Sequence, residues 1–341
     1  MGIRKMPEYC THKPLVLLGA TGKLSSEVAF YSQLLHFSPH LVLCGSSEER
    51  LNGLKDELEE ANFCSDLCIE TTCSITEATR LGGYILFAKS VRGGAKNRED
   101  LLLQNAPYAV ETGKALAHVR NKVERVICVS NPSDLMGLTL LVHSGIDPHL
   151  VMSLSSLDTE RLRRSLCRRL HVRKEEISSA YTLGSHDRQM APILGSITIN
   201  GKGLSEMGMT AKEQDEIVRE VREAGISIYK QRGQTAYQSP AVHCMKLLMA
   251  TDNNPFLLPT ACYHNSTRYP YSYLSLPTIV DSSGCHHQPI ILADNDLKRL
   301  DGSFASINQM RDKLIATDLL PPPNTWNVQL QECHELVRER E

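Results

Sequence analysis

A short apolar run, Pro14-Leu15-Val16-Leu17-Leu18, breaks directly into Gly19-Ala20-Thr21-Gly22, after which Leu24, Val28, Tyr31 and Leu35 recur at helical spacing. Strand, glycine-rich turn and helix in immediate succession constrain the chain to begin as a βαβ unit. The pattern continues. Residues 41–44, 84–87 and 126–129 are further buried-strand runs, and 51–61 reads as a charged helix. Alternation of this kind over the first 150 residues predicts a parallel sheet, because parallel strands need crossover connections. In such open sheets ligands bind at the carboxyl edge of the strands.

Beyond residue 150 the texture changes. Residues 159–170 read as a basic helix and 211–231 as a long charged amphipathic helix. A pair of strands is expected in 274–293, then a helix over 295–316 that stops before Pro321-Pro322-Pro323. The expected fold class is α/β: a Rossmann-type parallel-sheet domain over 1–154, an α+β substrate-binding domain over 155–318, and a surface tail over 319–341. A length of 341 residues suits two domains, and 41% apolar with 22% charged residues excludes a disordered or coiled-coil chain. Lys and Arg total 37 against 39 Asp and Glu, so no basic excess exists to neutralise a nucleic-acid backbone. No apolar run approaches the length of roughly 18 residues that a membrane span needs, and the first residues lack the apolar core of a secretory signal. A soluble cytoplasmic protein is expected. The eleven cysteines show no paired C-x2-C spacing, so they are read as structural and no metal is expected. Residues 282–288 (Ser-Ser-Gly-Cys-His-His-Gln) read as a turn between extended segments.

The glycine loop has a chemical use. Gly19 and Gly22 allow a tight turn and close backbone approach, and the helix opening at Lys23 and Leu24 offers free N–H groups with a positive dipole end. With Ala20 and Thr21 these residues form a candidate phosphate cradle, the alternative being an ordinary βα turn. The second strand ends Cys44-Gly45-Ser46-Ser47-Glu48-Glu49-Arg50, without the acid that usually accepts from an NAD ribose. Gly45 takes its place, and the hydroxyl of Ser46 with the charge of Arg50 would suit a 2′-phosphate. The cofactor is therefore read as NAD or NADP, leaning to NADP, with a relaxed adenosine pocket as the alternative.

Four separated segments then line up in order: Arg92-Gly-Gly-Ala-Lys-Asn-Arg98, Val129-Ser-Asn131-Pro, Leu157-Asp158-Thr-Glu-Arg161, and Gly184-Ser-His186-Asp-Arg-Gln-Met190. Together they resemble the lactate/malate dehydrogenase superfamily on its malate side, over residues 14 to about 318. The resemblance implies that His186 accepts and donates the proton while Asp158 holds its far ring nitrogen. It further implies that Arg161 grips the substrate C1 carboxylate, that Arg92 meets a second carboxylate on a closing loop, and that Arg98 polarises the reacting carbonyl. Asn131 would contact substrate and nicotinamide ribose, Asn105 and Val129 would face the cofactor, and Ser239 would line the substrate pocket. Read without the family, Asp158 and Arg161 are an i, i+3 surface pair and 92–98 a flexible basic loop. The implied substrate is a small dicarboxylate, and the implied assembly a homodimer or homotetramer.

Several positions depart from the family pattern. Ser25 replaces a third glycine, Gly45 the ribose-binding acid, Ala88-Lys89 small glycines, and Asp187 the glycine after the histidine. Asp187 is expected to raise the His186 pKa, and Lys89 to add positive charge near the phosphates. Two functions remain open at this point: a malate dehydrogenase-like oxidoreductase, or a non-catalytic or weakly active paralogue that binds on the same fold.

Overall fold

The computed structural model describes residues 8–61, 66–91, 93, 97–326 and 335–340. Its first half alternates strands and helices: β1 (Leu15–Leu18), α1 (Lys23–Leu34), β2 (His40–Cys44), α2 (Glu48–Glu60), β3 (Cys68–Thr72) and α3 (Ile75–Thr79). Then come β4 (Gly83–Phe87), α4 (Arg98–Ala117), β5 (Val123–Cys128), α5 (Ser133–Ser144) and β6 (Val151–Ser153). These six strands are parallel in the order 3-2-1-4-5-6, so the strand order reverses between β1 and β4. That reversal opens the crevice in which such sheets bind ligands.

Side chains alternate across a strand, and here both faces are covered. Leu15, Leu17, Leu41 and Leu43 pack on one side, and Val16, Leu18, Val42 and Ile85 on the other. All eight are buried, which is why these strands read as unbroken apolar runs rather than as alternating patterns.

The second half opens with α6 (Ser156–Leu170), followed by β7 (Ile177–Ser178), β8 (Tyr181–Leu183), β9 (Ala191–Ile193), β10 (Thr198–Ile199) and β11 (Lys202–Gly203). Next are α7 (Ala211–Arg232), α8 (Gln238–Leu248), β12 (Thr260–His264), β13 (Ser272–Leu276), β14 (Thr278–Asp281) and β15 (Gly284–His287). The last elements are β16 (Ile290–Leu292), α9 (Asp294–Ala316) and β17 (Val337–Glu339). A separate apolar cluster joins α6 and α7 through Leu162, Leu166, Ile217 and Val221.

Three expectations need correction. β12 and β13 come from the later half yet extend the main sheet antiparallel beside β6, so the sheet crosses residue 154. The region 274–293 holds more than a pair of strands: the end of β13, the hairpin β14–β15, and β16. The tail is not simply a surface extension: Val337 is buried, β17 pairs with β16, and Trp326 packs edge-on against Tyr263 and Tyr271. No helix among the described residues is long and apolar enough to cross a membrane.

Candidate active site

Gly19 sits at φ +93°, and a Cβ there would lie 2.8 Å from the Ala88 carbonyl oxygen and 2.9 Å from the Lys89 nitrogen. The turn therefore requires glycine twice over, for its backbone conformation and for the close approach of the loop after β4. The Gly19 and Ala20 N–H groups both donate to the Cys44 carbonyl at 2.9 Å, tying the loop to the end of β2. Gly22 caps α1 without any side-chain hydrogen bond, and the first turn carries no acid. The N–H groups at Lys23 and Leu24 thus face an uncapped helix start, the setting an anionic phosphate prefers. Thr21 is half-buried in the same turn.

The departures from the family pattern have local consequences. Ser25 is fully buried and its hydroxyl finds no partner among the described residues, so close packing of α1 on the sheet persists with an orphaned polar atom. At Gly45 a Cβ would come within 3.2 Å of Leu51 Cδ2, so an acid there requires Leu51 to yield. Ser46 and Arg50 are exposed at the start of α2, where the Arg50 N–H donates to the Ser47 hydroxyl. Lys89 adds less free charge than expected, because its ammonium lies 4.5 Å from the Tyr108 ring centroid and 3.9 Å from Glu111. It still stands near the end of β2: burial pushes the Cys44 thiol up to about 11, and Lys89 pulls in the opposite direction.

The chemistry gathers at the mouth of α5, α6 and the loop after β8. Asp158 lies in the first turn of α6, buried, and one of its oxygens is 2.6 Å from His186 Nδ1. Its other oxygen accepts from Arg161 Nη1 at 2.7 Å, one helical turn along. Burial alone would raise this carboxyl, but the charges and hydrogen bonds of His186 and Arg161 hold it below its ordinary value. For His186 burial works against the charged form, and Asp158, by charge and hydrogen bond, outweighs it, leaving the imidazole above its ordinary value. Asp158 thereby orients the ring and leaves Nε2 for a ligand. The His186 side chain retains 20% exposure, enough for access.

Tertiary contacts fix the histidine loop. Gly184 has φ +81° and its Cβ position falls 2.3 Å from the Ser303 hydroxyl on α9, so no side chain fits. The Ser185 N–H donates to that hydroxyl at 2.8 Å, and Gly184 and Ser275 exchange backbone hydrogen bonds. The His186 N–H donates to Asp134 at 2.7 Å. Asp134 is a candidate site residue that the sequence reading missed. It is buried in the first turn of α5, its second oxygen has no partner among the described residues, and burial pushes it up to about 6 while His186 pulls it down. The only signal was an acid in the first turn of the helix after Asn131-Pro132.

Arg98, at the start of α4, brings Nη2 to 3.2 Å from Asp187 and 3.4 Å from the His186 carbonyl oxygen. This corrects the expectation for Asp187. Among the largest influences on His186, the groups that raise it are Asp158 and Asp134, whereas Asp187 engages Arg98 and also accepts from the Ser185 hydroxyl and the Gln189 N–H. Both arginines keep a buried Nε with no partner among the described residues. Buried donors are rarely left unmade, so two guanidinium groups at one histidine loop present hydrogen-bonding capacity to an anionic ligand. Gly225 of α7 faces Arg161, where a Cβ would meet Nη2 at 3.4 Å. Because Asp187 competes with a ligand for Arg98, Asp187→Asn is expected to lower the KM for a keto acid about threefold, within the ~1 kcal/mol of a part-exposed ion pair. Steady-state kinetics check this, and a raised KM would show that Asp187 positions Arg98 instead.

Other expected site residues fall differently. Asn105 is fully buried, contrary to its expected place at the cofactor: its amide donates to the Asn131 carbonyl at 2.7 Å and its oxygen accepts from the Val91 N–H at 2.9 Å. It positions the loop after β4 rather than facing a ligand. Asn131 is exposed, Val129 half-buried, and Ser239 exposed in the first turn of α8. Arg92 lies outside the described residues. The nine described cysteines are all free.

A classical dinucleotide-fold sheet with a histidine–aspartate pair beside two arginines defines the class: an α/β oxidoreductase of the dehydrogenase type. Residues 13–153 match the family model described as lactate/malate dehydrogenase, NAD binding domain. The chain is 28% identical to a malate dehydrogenase of Helicobacter hepaticus over 280 residues, 80% of this chain and 88% of that protein. It is 29% identical to an L-lactate dehydrogenase of Lactobacillus delbrueckii subsp. bulgaricus over 308 residues, 88% of this chain and 98% of that one. The crystal structure of malate dehydrogenase from Plasmodium falciparum in complex with NADH superposes with a TM-score of 0.77 at 22% identity, covering 90% of this chain and all of that one. Residues 13–153 thus match the NAD-binding domain of the lactate/malate dehydrogenases, and most of the chain is similar to malate and lactate dehydrogenases, oxidoreductases acting on CH–OH donors.

Proposed function

We propose that this protein interconverts a 2-hydroxy dicarboxylate of the malate class and its keto acid, oxaloacetate, using a nicotinamide dinucleotide. One observation carries the reading: the unbroken chain His186–Asp158–Arg161 with Arg98 against the same histidine loop. This joins a proton-transfer group to two cationic hydrogen-bond forks. The geometry favours turnover over the binding-only alternative, because a mere binding surface has no need of a buried carboxylate fixing the imidazole.

Residues 1–154 would serve the dinucleotide and 155–318 the substrate. Gly19, Ala20, Thr21, Gly22, Lys23 and Leu24 would hold the pyrophosphate, Gly45, Ser46 and Arg50 the adenosine end, and Val129 and Asn131 the nicotinamide end. The bound cofactor supplies the hydride acceptor and donor. NAD is supported by the family model and by the relative in complex with NADH, while a preference for NADP rests only on the missing acid and on Arg50. Arg161 would grip the C1 carboxylate, and Arg98 would stabilise charge on the reacting oxygen as it develops. In the oxidising direction His186 accepts the hydroxyl proton at Nε2, and the Asp158 carboxylate stabilises the resulting imidazolium. In the reducing direction the same proton is returned.

The test is oxaloacetate reduction followed by loss of nicotinamide absorbance, with NADH and NADPH in parallel. Absence of turnover with both cofactors in folded protein overturns the reading. The dicarboxylate assignment rests on Arg92. Arg92→Gln is expected to cut kcat/KM for oxaloacetate at least tenfold, about 1.4 kcal/mol, and to improve pyruvate relative to it; an unchanged ratio reassigns the substrate. A homodimer or homotetramer is part of the proposal, with the exposed Phe30 and Leu34 of α1, Leu35 just past its end and Val242 of α8 as the contact face. Sedimentation equilibrium of wild type and Val242→Glu checks it, a monomeric wild type being the contrary result.

A further inference from the structure

Strand β3 forms the outer edge of the main sheet, beside β2. Their parallel register sets His40 directly beside Cys68, and Glu70 follows two residues along β3, on the same face as Cys68. A ring nitrogen of His40, the Cys68 sulfur and a Glu70 carboxylate oxygen all lie within 4.8 Å of one another. His40 Nε2 is 2.7 Å from Glu70 Oε1, and Arg80 donates to the other Glu70 oxygen at 2.7 Å, orienting the carboxylate. Cys68 is exposed, while His40 and Glu70 are half-buried. The group is thus built on two rigid strands, with one side open to solvent.

The donor set is informative. One imidazole, one thiol and one carboxylate match the ligands of borderline transition ions and not the all-oxygen shells of Ca2+ or Mg2+. Bond lengths of roughly 2.0–2.3 Å around Zn2+ place tetrahedral ligand atoms about 3.3–3.8 Å apart. The His40–Glu70 contact needs to open by only about 1 Å to reach that separation. We propose that His40, Cys68 and Glu70 form a binding site for a single Zn2+-class ion on the edge of the sheet, with water as the fourth ligand. Binding replaces the His40–Glu70 hydrogen bond with two metal–ligand bonds and releases the thiol proton to solvent as the sulfur coordinates. Arg80 stays on the outer carboxylate oxygen as the partner that holds the ligand in place. The site lies at the opposite end of β2 from Gly45, about 17 Å away along the chain direction. Its effect would be to clamp the edge strand rather than to enter catalysis.

The experiment uses the full chain, reduced, freed of metal with a chelator, and titrated with Co2+ as a spectroscopic probe. The expected result is one Co2+ per chain, with tetrahedral d–d bands and a thiolate charge-transfer band that Zn2+ displaces. Cys68→Ser is expected to abolish the charge-transfer band and weaken Zn2+ binding at least tenfold, as is His40→Ala, whereas Cys73→Ser leaves both intact. Circular dichroism confirms that each variant is folded, and Zn2+ is expected to raise the Tm of wild type but not of Cys68→Ser. No cobalt band in wild type, or a band that survives Cys68→Ser unchanged, overturns the proposal.

Discussion

Replacing His186 with Asn is expected to lower kcat by about 10²- to 10⁴-fold, the range that a positioned acid–base group contributes, while leaving dinucleotide affinity within a factor of two. The separation follows from placement. The His186 N–H to Asp134 hydrogen bond belongs to the backbone and survives the substitution, so the loop stays anchored by Gly184, Ser185 and Ser303. The glycine loop at residues 19–22 is tied to β2 and β4 and does not involve His186. The substitution removes the imidazole, and with it Nε2, the proposed proton-transfer atom, and the Nδ1 bond to Asp158. Stopped-flow turnover together with fluorescence titration of the reduced cofactor checks both halves. A kcat within tenfold of wild type would mean that the proton moves by another route.

Asp158→Asn is expected to cost about as much, for a different reason. The carboxylate accepts at His186 Nδ1 and from Arg161 Nη1 at once. An amide in its place turns an –NH2 toward one of those donors or flips the ring to the other tautomer, leaving Nε2 protonated when it should accept. A fall in kcat of about 10²- to 10⁴-fold is expected, with a higher KM because Arg161 loses its anchor. The pH profile gives the diagnostic reading. Asp158 is the main group that raises the His186 pKa. Alcohol oxidation needs the neutral ring and so rises with pH through that pKa; keto-acid reduction needs the imidazolium and falls through it. Losing the carboxylate charge lowers the histidine pKa, so both limbs are expected to move to lower pH. A loss of rate with both limbs unmoved would assign Asp158 to orientation alone.

Much of the dinucleotide half was legible in the chain. Buried parallel strands are apolar on both faces, so 15–18, 41–44 and 84–87 stood out against their flanks, and the strand–glycine–helix turn announced its own geometry. β3 was not legible, because an edge strand with one buried residue of five has no apolar signature. β12 was missed although all five of its residues are buried: Thr-Ala-Cys-Tyr-His is small and polar in sequence, and only its place beside β6 explains its burial. Among candidate site residues, His186, Asp158, Arg161 and Arg98 were singled out through their order along the chain, and they meet in space. Asp134 escaped because a single acid in the first turn of a helix is commonplace, and Asn105 was assigned a ligand-facing role that its burial removes.

Strand periodicity, turn chemistry and the i, i+3 spacing of Asp158 and Arg161 are local properties, and the amino-acid order alone determined them. Which carboxylate faces which cation is not local. Asp187 adjoins His186 in the chain, yet its charge is turned to Arg98, 89 positions earlier, and the carboxylate that raises the histidine comes from another helix 28 positions back. Coulomb energies follow distance through the folded protein and not separation along the chain. The pocket's charge pairing, and with it the protonation state of its central imidazole, was therefore decided only when the helices and loops closed around it.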